Sequence, residues 1–183
     1  MSEEVLIHYA APTLAGLKSG SLFTVAFSNQ EDMHESIRRI NRVLVPKGVC
    51  LLPVGRQKNR TLIYVFRPAL VEKELASEQA RKILARYGYH GDTVGSCLSK
   101  LICRLREEKE FPHEIGLFLG YPPEDVQGFI ENKAANFKCI GAWKVYGNEE
   151  TAIKAFQTFR HCTEVYTKQW RKGTQFEKLV VSA

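Results

Sequence analysis

Residues that could carry chemistry are concentrated between positions 111 and 147 of the chain. His113 follows a proline just before an apolar run, and an exposed imidazole there could serve as acid, base or ligand because it titrates near neutral pH. Cys139 stands beside Lys138 and near Lys144, and positive neighbours favour the thiolate that acts as a nucleophile. Cys139 and His113 are therefore the candidate catalytic residues, with the imidazole as the base that a thiol nucleophile needs.

Both residues also have an ordinary structural interpretation. A histidine at the entrance to a strand is commonly an exposed surface residue, and a cysteine is often a small buried hydrophobe. Glu114 is adjacent to His113, so on a strand the two side chains point to opposite faces and cannot act together on one side. The sequence leaves these alternatives open.

Four further side chains are candidates for ligand binding: Lys18, Tyr121, Trp143 and Lys144. An aromatic ring that faces a cleft suits a planar ligand such as a flavin or a haem, whereas aromatic residues in strands more often belong to the core. Lys18 lies in a loop bounded by glycines and could reach an anionic group. The spacing of a P-loop is absent, so a nucleoside triphosphate is not predicted.

Residues 120–125 form a glycine-containing loop that runs into a helix, a setting in which anions can bind. Pro122 and Pro123 remove backbone donors there, and Glu124 and Asp125 already place negative charge at the start of the helix. We therefore interpret this loop as helix initiation rather than as a phosphate site.

The composition narrows the class of protein. The five cysteines include no Cys-x-x-Cys pair, which predicts reduced thiols and gives no metal site. The N-terminal residues lack a basic leader followed by a long apolar core, and no apolar run approaches the roughly 20 residues of a membrane helix. We expect a cytoplasmic protein that makes no membrane contact.

The net charge of +6 suits an acidic protein partner, nucleic acid or an anionic ligand. Basic residues form three clusters, which are Arg38, Arg39 and Arg42, then Arg56, Lys58 and Arg60, and finally Lys168, Arg171 and Lys172. No aromatic strand motif of an RNA-binding module accompanies them, so nucleic acid is the less favoured partner.

Periodicity predicts strands that alternate with helices along the whole chain. Strands are predicted at 21–27, 49–54, 61–67, 115–119, 138–146 and 176–181, with the second and third joined as a hairpin. Helices are predicted from Ser28, from about Val71 with a break near Ser77, from Asp92 or Thr93, from about Pro123 and from Asn148. The expected fold is α/β or α+β, a single domain over 1–183 with helices packed on a mixed sheet and structural halves at 1–90 and 91–183.

Three ordered motifs carry a family resemblance that covers nearly the whole chain. They are Ala11-Pro-Thr-Leu-Ala-Gly-Leu-Lys18 followed by Ser21-Leu-Phe23, then His113-Glu-Ile-Gly-Leu-Phe-Leu-Gly-Tyr-Pro122, then Cys139-Ile-Gly-Ala-Trp-Lys-Val-Tyr146. The sequence resembles a family of short bacterial proteins, mostly from anaerobes, that is classed as a domain of unknown function. The resemblance implies a setting among iron and flavodoxin-type redox functions, and it carries over no catalytic residue.

Three functional hypotheses result. The first is a protein of iron, haem or redox metabolism, either a binding protein or an enzyme, that binds a small molecule or cofactor. Its cleft would be formed by Lys18, His113, Tyr121, Cys139 and Trp143. The second is a basic accessory protein that docks an acidic redox partner such as a flavodoxin. The third is a nucleic-acid-binding protein.

Overall fold

Helices alternate with short strands in the computed structural model, which describes residues 1–57, 59–91, 93–107 and 110–182. The helices are α1 (Glu3–Leu14), α2 (Gln30–Leu44), α3 (Pro68–Leu75), α4 (Glu78–Arg86), α5 (Val94–Glu107), α6 (Ile115–Phe118), α7 (Pro123–Glu131) and α8 (Glu149–Arg171). The strands are β1 (Gly20–Val25), β2 (Cys50–Gln57), β3 (Arg60–Phe66), β4 (Cys139–Ile140) and β5 (Lys144–Val145). The α+β class is confirmed, but the mixed sheet is wrong, because every strand pair in the described chain is antiparallel.

The chain forms two compact units. The first combines Met1–Ala69 with Phe159–Ala183, and the second is Leu70–Thr158. Helix α8 begins in the second unit and ends in the first. The prediction of one domain over 1–183, with halves at 1–90 and 91–183, stays a prediction.

The first unit is built on a three-stranded sheet with β3 in the middle, in the order β1-β3-β2. The predicted hairpin of β2 and β3 is confirmed, with a β-bulge between Pro53 and Gly55. Strand β3 is rich in β-branched and aromatic residues, and its last five residues are all buried, as expected for a central strand. Helices α1 and α2 add Leu6, Leu14 and Ile40 to the same hydrophobic core.

Helix α2 follows its predicted apolar stripe but begins one residue later than the capping box indicates. Asn29 is the N-cap, and its side-chain oxygen accepts a hydrogen bond from the Asp32 backbone N–H at 2.8 Å. Asn29 can do this because an amide oxygen reaches the exposed donors of the first turn as well as a serine hydroxyl does.

Arg67 is the buried cation of the first unit, with 4% of its surface exposed. Its guanidinium donates hydrogen bonds of 2.7, 2.6 and 2.7 Å to the carbonyls of Thr13, Leu14 and Val181. The last carbonyls of a helix have no partner inside the helix, so Arg67 satisfies the end of α1 and ties it to the C-terminal segment.

The second unit is mainly helical. The predicted break at Ser77 is confirmed: α3 ends at Leu75, and the Ser77 hydroxyl accepts a hydrogen bond from the Ala80 backbone N–H as the cap of α4. The predicted cap of α8 is confirmed as well, because the Asn148 side chain accepts a hydrogen bond from the Thr151 N–H at 2.9 Å.

Three strand predictions are wrong or incomplete. Residues 115–118 form helix α6, because a run that is buried on every side shows neither strand nor helix periodicity. Phe176–Leu179 is a 3-10 helix rather than a strand. Residues 138–146 form a small hairpin of β4 and β5 rather than one strand.

Two residues of the sequence analysis, Lys58 and Asp92, lie outside the described residues. Within the described part of the chain, no helix combines the length and the apolar composition that a bilayer span requires.

Candidate functional site

A pocket of about 310 Å³ lies within the second unit, between α3, α4 and the start of α5. Its apolar wall consists of Leu75, Ala76, Leu84, Ala85 and Val94, and its polar wall includes Glu72, Arg81, Tyr89, His90, Thr93 and Cys97. The break between α3 and α4 brings the two helices to different sides of this space. Gly88, with φ of +74°, then turns the chain into the segment that carries Tyr89.

Tyr89 connects the pocket to the interior of the unit. Only 7% of its surface is exposed, and its hydroxyl donates a hydrogen bond of 2.9 Å to Oε1 of Glu114. Its ring packs against Phe118 of α6 with centroids 6.0 Å apart. Burial, followed by the negative charge of Glu114, raises the pKa of Tyr89 well above its ordinary value, so the hydroxyl stays a donor.

Glu114 is fully buried where the chain enters α6. Arg104 of α5 donates from Nε to Oε1 at 2.6 Å, and its guanidinium lies over the Tyr87 ring at 4.9 Å. Oε1 therefore accepts two hydrogen bonds, whereas Oε2 has no hydrogen-bond partner among the described residues. A buried carboxylate oxygen without a donor is unusual, since most buried polar atoms are hydrogen-bonded.

The predicted aromatic residues form a second cluster, around Asp125, in the same unit. The Trp143 indole donates to Oδ2 of Asp125 at 2.7 Å, and the backbone N–H groups of Tyr146 and Gly147 donate to Oδ1, also at 2.7 Å. Tyr121 stacks on Trp143 with centroids 4.9 Å apart, and Phe156 packs edge-on against the indole at 4.6 Å. Trp143 thus holds the β4–β5 hairpin to α7 and α8.

The side chains of Lys144 and His113 contact residues close to the Asp125 cluster rather than an open cleft. The Lys144 ammonium donates to the Ala134 carbonyl at 2.7 Å and lies 4.6 Å from the centre of the Phe137 ring. His113 is exposed, and its ring packs against Phe129 with centroids 4.9 Å apart. Lys144 stabilises a strained segment, since Lys133, Ala134 and Asn136 all have positive φ.

The surroundings of Cys139 do not favour its thiolate. Burial and then the nearby Glu149 carboxylate raise the pKa of Cys139 above its ordinary value. The Lys138 ammonium is turned away to the Gly147 carbonyl at 2.7 Å. The catalytic roles of Cys139 and His113 stay predictions.

Lys18 belongs to the first unit, in the loop between α1 and β1. Burial lowers its pKa to about 8, so the amine is still mostly protonated at physiological pH but loses its proton far more easily than an exposed lysine. Its predicted ligand-binding role is untested.

The residues behind the pocket are not among the site residues predicted from the sequence. Glu114 drew attention only as the neighbour of His113, and neither Arg104 nor Tyr89 was singled out. One signal was available: Glu114 is a charged residue at the head of the apolar run 115–119. A carboxylate in such a position is buried only with partners, and these come from positions 10 and 25 residues earlier.

Fold and site together define an α+β protein whose helical unit carries a small open pocket, with Tyr89 of its wall hydrogen-bonded to the buried Glu114. A sequence model of one family matches residues 6–180, and its description is "Protein of unknown function (DUF3793)". The chain belongs to this family, which confirms the resemblance to a domain of unknown function. No curated protein and no solved structure matches the chain.

Proposed function

We propose that this protein binds a small molecule in the pocket between α3, α4 and α5. The observation that carries the proposal is a pocket of about 310 Å³ whose wall residue Tyr89 is held from behind by Glu114. Ligand sites are commonly concave spaces of about 300–1,000 Å³, mostly apolar with a few fixed polar groups. The volume lies at the lower end of that range, which favours a ligand smaller than a typical drug molecule.

Preorganisation supports the same function. A wall that is already fixed costs less conformational entropy when a ligand binds than one that must become ordered. Here the hydroxyl of Tyr89 is fixed by Glu114, and the thiol of Cys97 donates to the Gly91 carbonyl at 3.4 Å. Both side chains therefore have defined positions without a ligand.

A pocket-filling substitution tests the proposal. Ala85 lines the pocket from α4 and is exposed, so Ala85→Phe should place a ring in the space without disturbing the core. Gln79→Phe adds the same ring to α4 at a position outside the pocket lining and is the matched control. Small fragments are added and their binding is followed by ¹H–¹⁵N NMR. We expect the amide signals of Tyr89 and Cys97 to shift in the wild type and in Gln79→Phe, but not in Ala85→Phe.

Equal shifts in Ala85→Phe and the wild type, or fragment binding that leaves these amides unmoved, would contradict the proposal. Absorption spectra and mass spectrometry of ligand released from the purified protein extend the test. These two measurements detect a bound flavin, haem or iron centre directly. Any one of them would support the proposed link to redox metabolism.

A second candidate function is the docking of an acidic redox protein, such as a flavodoxin, to the first unit. The supporting observation is a charge asymmetry: the first unit has 14 Lys and Arg against 7 Asp and Glu, net +7, whereas the second has 12 against 13, net −1. All three basic clusters of the sequence belong to the first unit. Such a field accelerates association with an acidic surface.

Salt dependence and charge reversal test this docking. Attraction between exposed charges is screened beyond about 10 Å at 0.1 M salt, so affinity for a flavodoxin should fall steeply between 50 and 300 mM salt. The double variant Arg38→Glu and Arg42→Glu on α2 should weaken binding, whereas Lys73→Glu with Lys82→Glu in the second unit should not. Equal effects of the two doubles, or tighter binding to generic RNA or DNA in gel shifts, would count against it.

A further inference from the structure

The polar side chains that line the pocket between α3, α4 and α5 fall into two groups. Those of Tyr89 and Cys97 donate hydrogen bonds within the unit, and the Thr93 hydroxyl accepts a backbone N–H from the first turn of α5 at 3.2 Å. Glu72 and Arg81 differ, because neither side chain forms an ion pair or a hydrogen bond with another described residue. These two charged groups are therefore available to a ligand.

Glu72 and Arg81 carry opposite charges on two different helices of the pocket. Glu72 belongs to α3 and Arg81 to α4, and both side chains are exposed where they line the space. In a pocket of about 310 Å³, a small ligand lies within reach of both long side chains. The ligand is therefore selected by its match to a carboxylate and a guanidinium together.

This pair of charges favours a ligand that also carries one charge of each sign. A simple anion would be attracted by Arg81 and repelled by Glu72, and a simple cation would meet the opposite conflict. In a zwitterion, the carboxylate can accept two parallel hydrogen bonds from a guanidinium, and the ammonium can donate to a carboxylate. His90 lines the same space and offers a further hydrogen-bonding group to either end.

An apolar surface completes the site. Leu75, Leu84 and Val94 line the same pocket and offer contact to an aliphatic chain. An α-amino acid combines both charges at one end with a side chain at the other. We propose that the pocket binds a free α-amino acid with a small aliphatic side chain, its carboxylate on Arg81 and its ammonium on Glu72. This inference rests on the proposed function, because it assigns the ligand class of the same pocket.

Four probes that differ by one group test the inference. L-Leucine has both charges and an aliphatic side chain, 4-methylpentanoate lacks the ammonium, 3-methylbutylamine lacks the carboxylate, and glycine lacks the side chain. Titration of the wild type is followed by ¹H–¹⁵N NMR at the amides of Tyr89 and Cys97. We expect leucine to bind roughly tenfold more tightly than either analogue with a single charge, the size of one hydrogen bond to a charged group. Glycine should also bind more weakly than leucine, because it buries no apolar side chain.

Two charge variants assign the contacts. Arg81→Gln should weaken leucine binding roughly tenfold without weakening that of 3-methylbutylamine, and Glu72→Gln should weaken leucine binding without weakening that of 4-methylpentanoate. Arg86→Gln on the same helix and Glu78→Gln are the matched controls, since both residues lie outside the pocket lining and should keep the wild-type affinities. All four side chains are exposed, so the variants should fold.

The outcomes separate the inference from the proposed function. The inference is overturned if an analogue with a single charge binds as tightly as leucine, or if Arg81→Gln and Glu72→Gln bind leucine like the wild type. Shifts of the Tyr89 and Cys97 amides would still support a small-molecule pocket in those cases. If leucine leaves both amides unmoved while the fragments of the pocket-filling test shift them, the inference alone fails. If neither leucine nor the fragments shift them, the proposed function is contradicted as well.

Discussion

The two units bury ions in different ways. In the first unit the buried ion is Arg67, and its guanidinium is occupied by three backbone carbonyls. In the second unit Asp125 is similarly complete, with both oxygens accepting from the hairpin, but Glu114 uses one oxygen only. Arg67 and Asp125 thus tie separate segments of the chain together through several hydrogen bonds, whereas one buried oxygen of Glu114 has no donor among the described residues.

The two units also differ in net charge. The first unit carries +7 and the second −1. The excess of positive charge that docking of an acidic partner would need lies in the first unit, whereas the pocket proposed for a small molecule lies in the second. The two candidate functions thus belong to different parts of the chain and can be removed separately.

The largest expected effect comes from removing the Glu114 carboxylate. Glu114→Ala removes the buried carboxylate oxygen that accepts hydrogen bonds from both Arg104 and Tyr89. We expect a loss of about 3–5 kcal/mol in the free energy of unfolding, measured by urea denaturation. Glu78→Ala, which breaks an exposed i,i+4 ion pair with Lys82, should cost less than about 1 kcal/mol.

The double variant Glu114→Leu with Arg104→Leu removes both charges and should recover part of that stability. If Glu114→Ala costs no more than Glu78→Ala, Glu114 is not a buried ion-pair partner, and the contrast between the units is lost.

Asp125→Asn tests the carboxylate whose hydrogen bonds are complete. The new amide can keep one oxygen for the backbone donors of Tyr146 and Gly147, but it then turns an N–H toward the Trp143 indole N–H. We expect a loss of about 1–3 kcal/mol and an altered near-ultraviolet circular dichroism signal from Trp143. An unchanged signal would show that Asp125 does not hold the hairpin.

The pH dependence of stability tests burial in the first unit. Lys18 has a folded-state pKa of about 8, below its ordinary 10.5. Because the unfolded chain binds this proton more tightly, the contribution of Lys18 to stability should rise as pH increases from 8 to 10.5. Comparing the unfolding free energy of wild type and Lys18→Met across this window isolates the effect, and a flat difference would contradict the burial.

The smallest expected effect concerns Cys139. Since its pKa is raised by burial and by Glu149, its alkylation by iodoacetamide at pH 7.5 should be slower than that of a free small thiol. Glu149→Gln should accelerate it, whereas Glu150→Gln, one residue further along, should have less effect. Fast alkylation in the wild type would restore the nucleophile hypothesis.

The parts of the fold that follow from local pattern could be predicted. The β2–β3 hairpin, the apolar stripe of α2, the break at Ser77 and the Asn148 cap all depend on residues within one or two turns of each other. Helix α6 could not be predicted, because an apolar run that is buried on all sides shows no hydrophobic periodicity.

The candidate site was harder to predict because it depends on contacts between distant residues. Tyr89, Arg104 and Glu114 come from three separate elements, and no spacing rule joins them. Gly141 illustrates the same limit, because a side chain at this position would collide with the ring of Phe156, which is distant in sequence. Tyr121 and Trp143 stack on each other, but their ligand-binding role stays a prediction. Asp125, which accepts from the Trp143 indole, was interpreted only as negative charge at the start of a helix.

A crystal structure of the wild-type protein soaked with benzyl alcohol tests the central claim most directly. The alcohol should occupy the pocket beside Tyr89, with its ring against the apolar side chains of Leu84 and Val94. An alcohol bound only away from this pocket, or a pocket that stays empty at saturating alcohol, would contradict the proposed function.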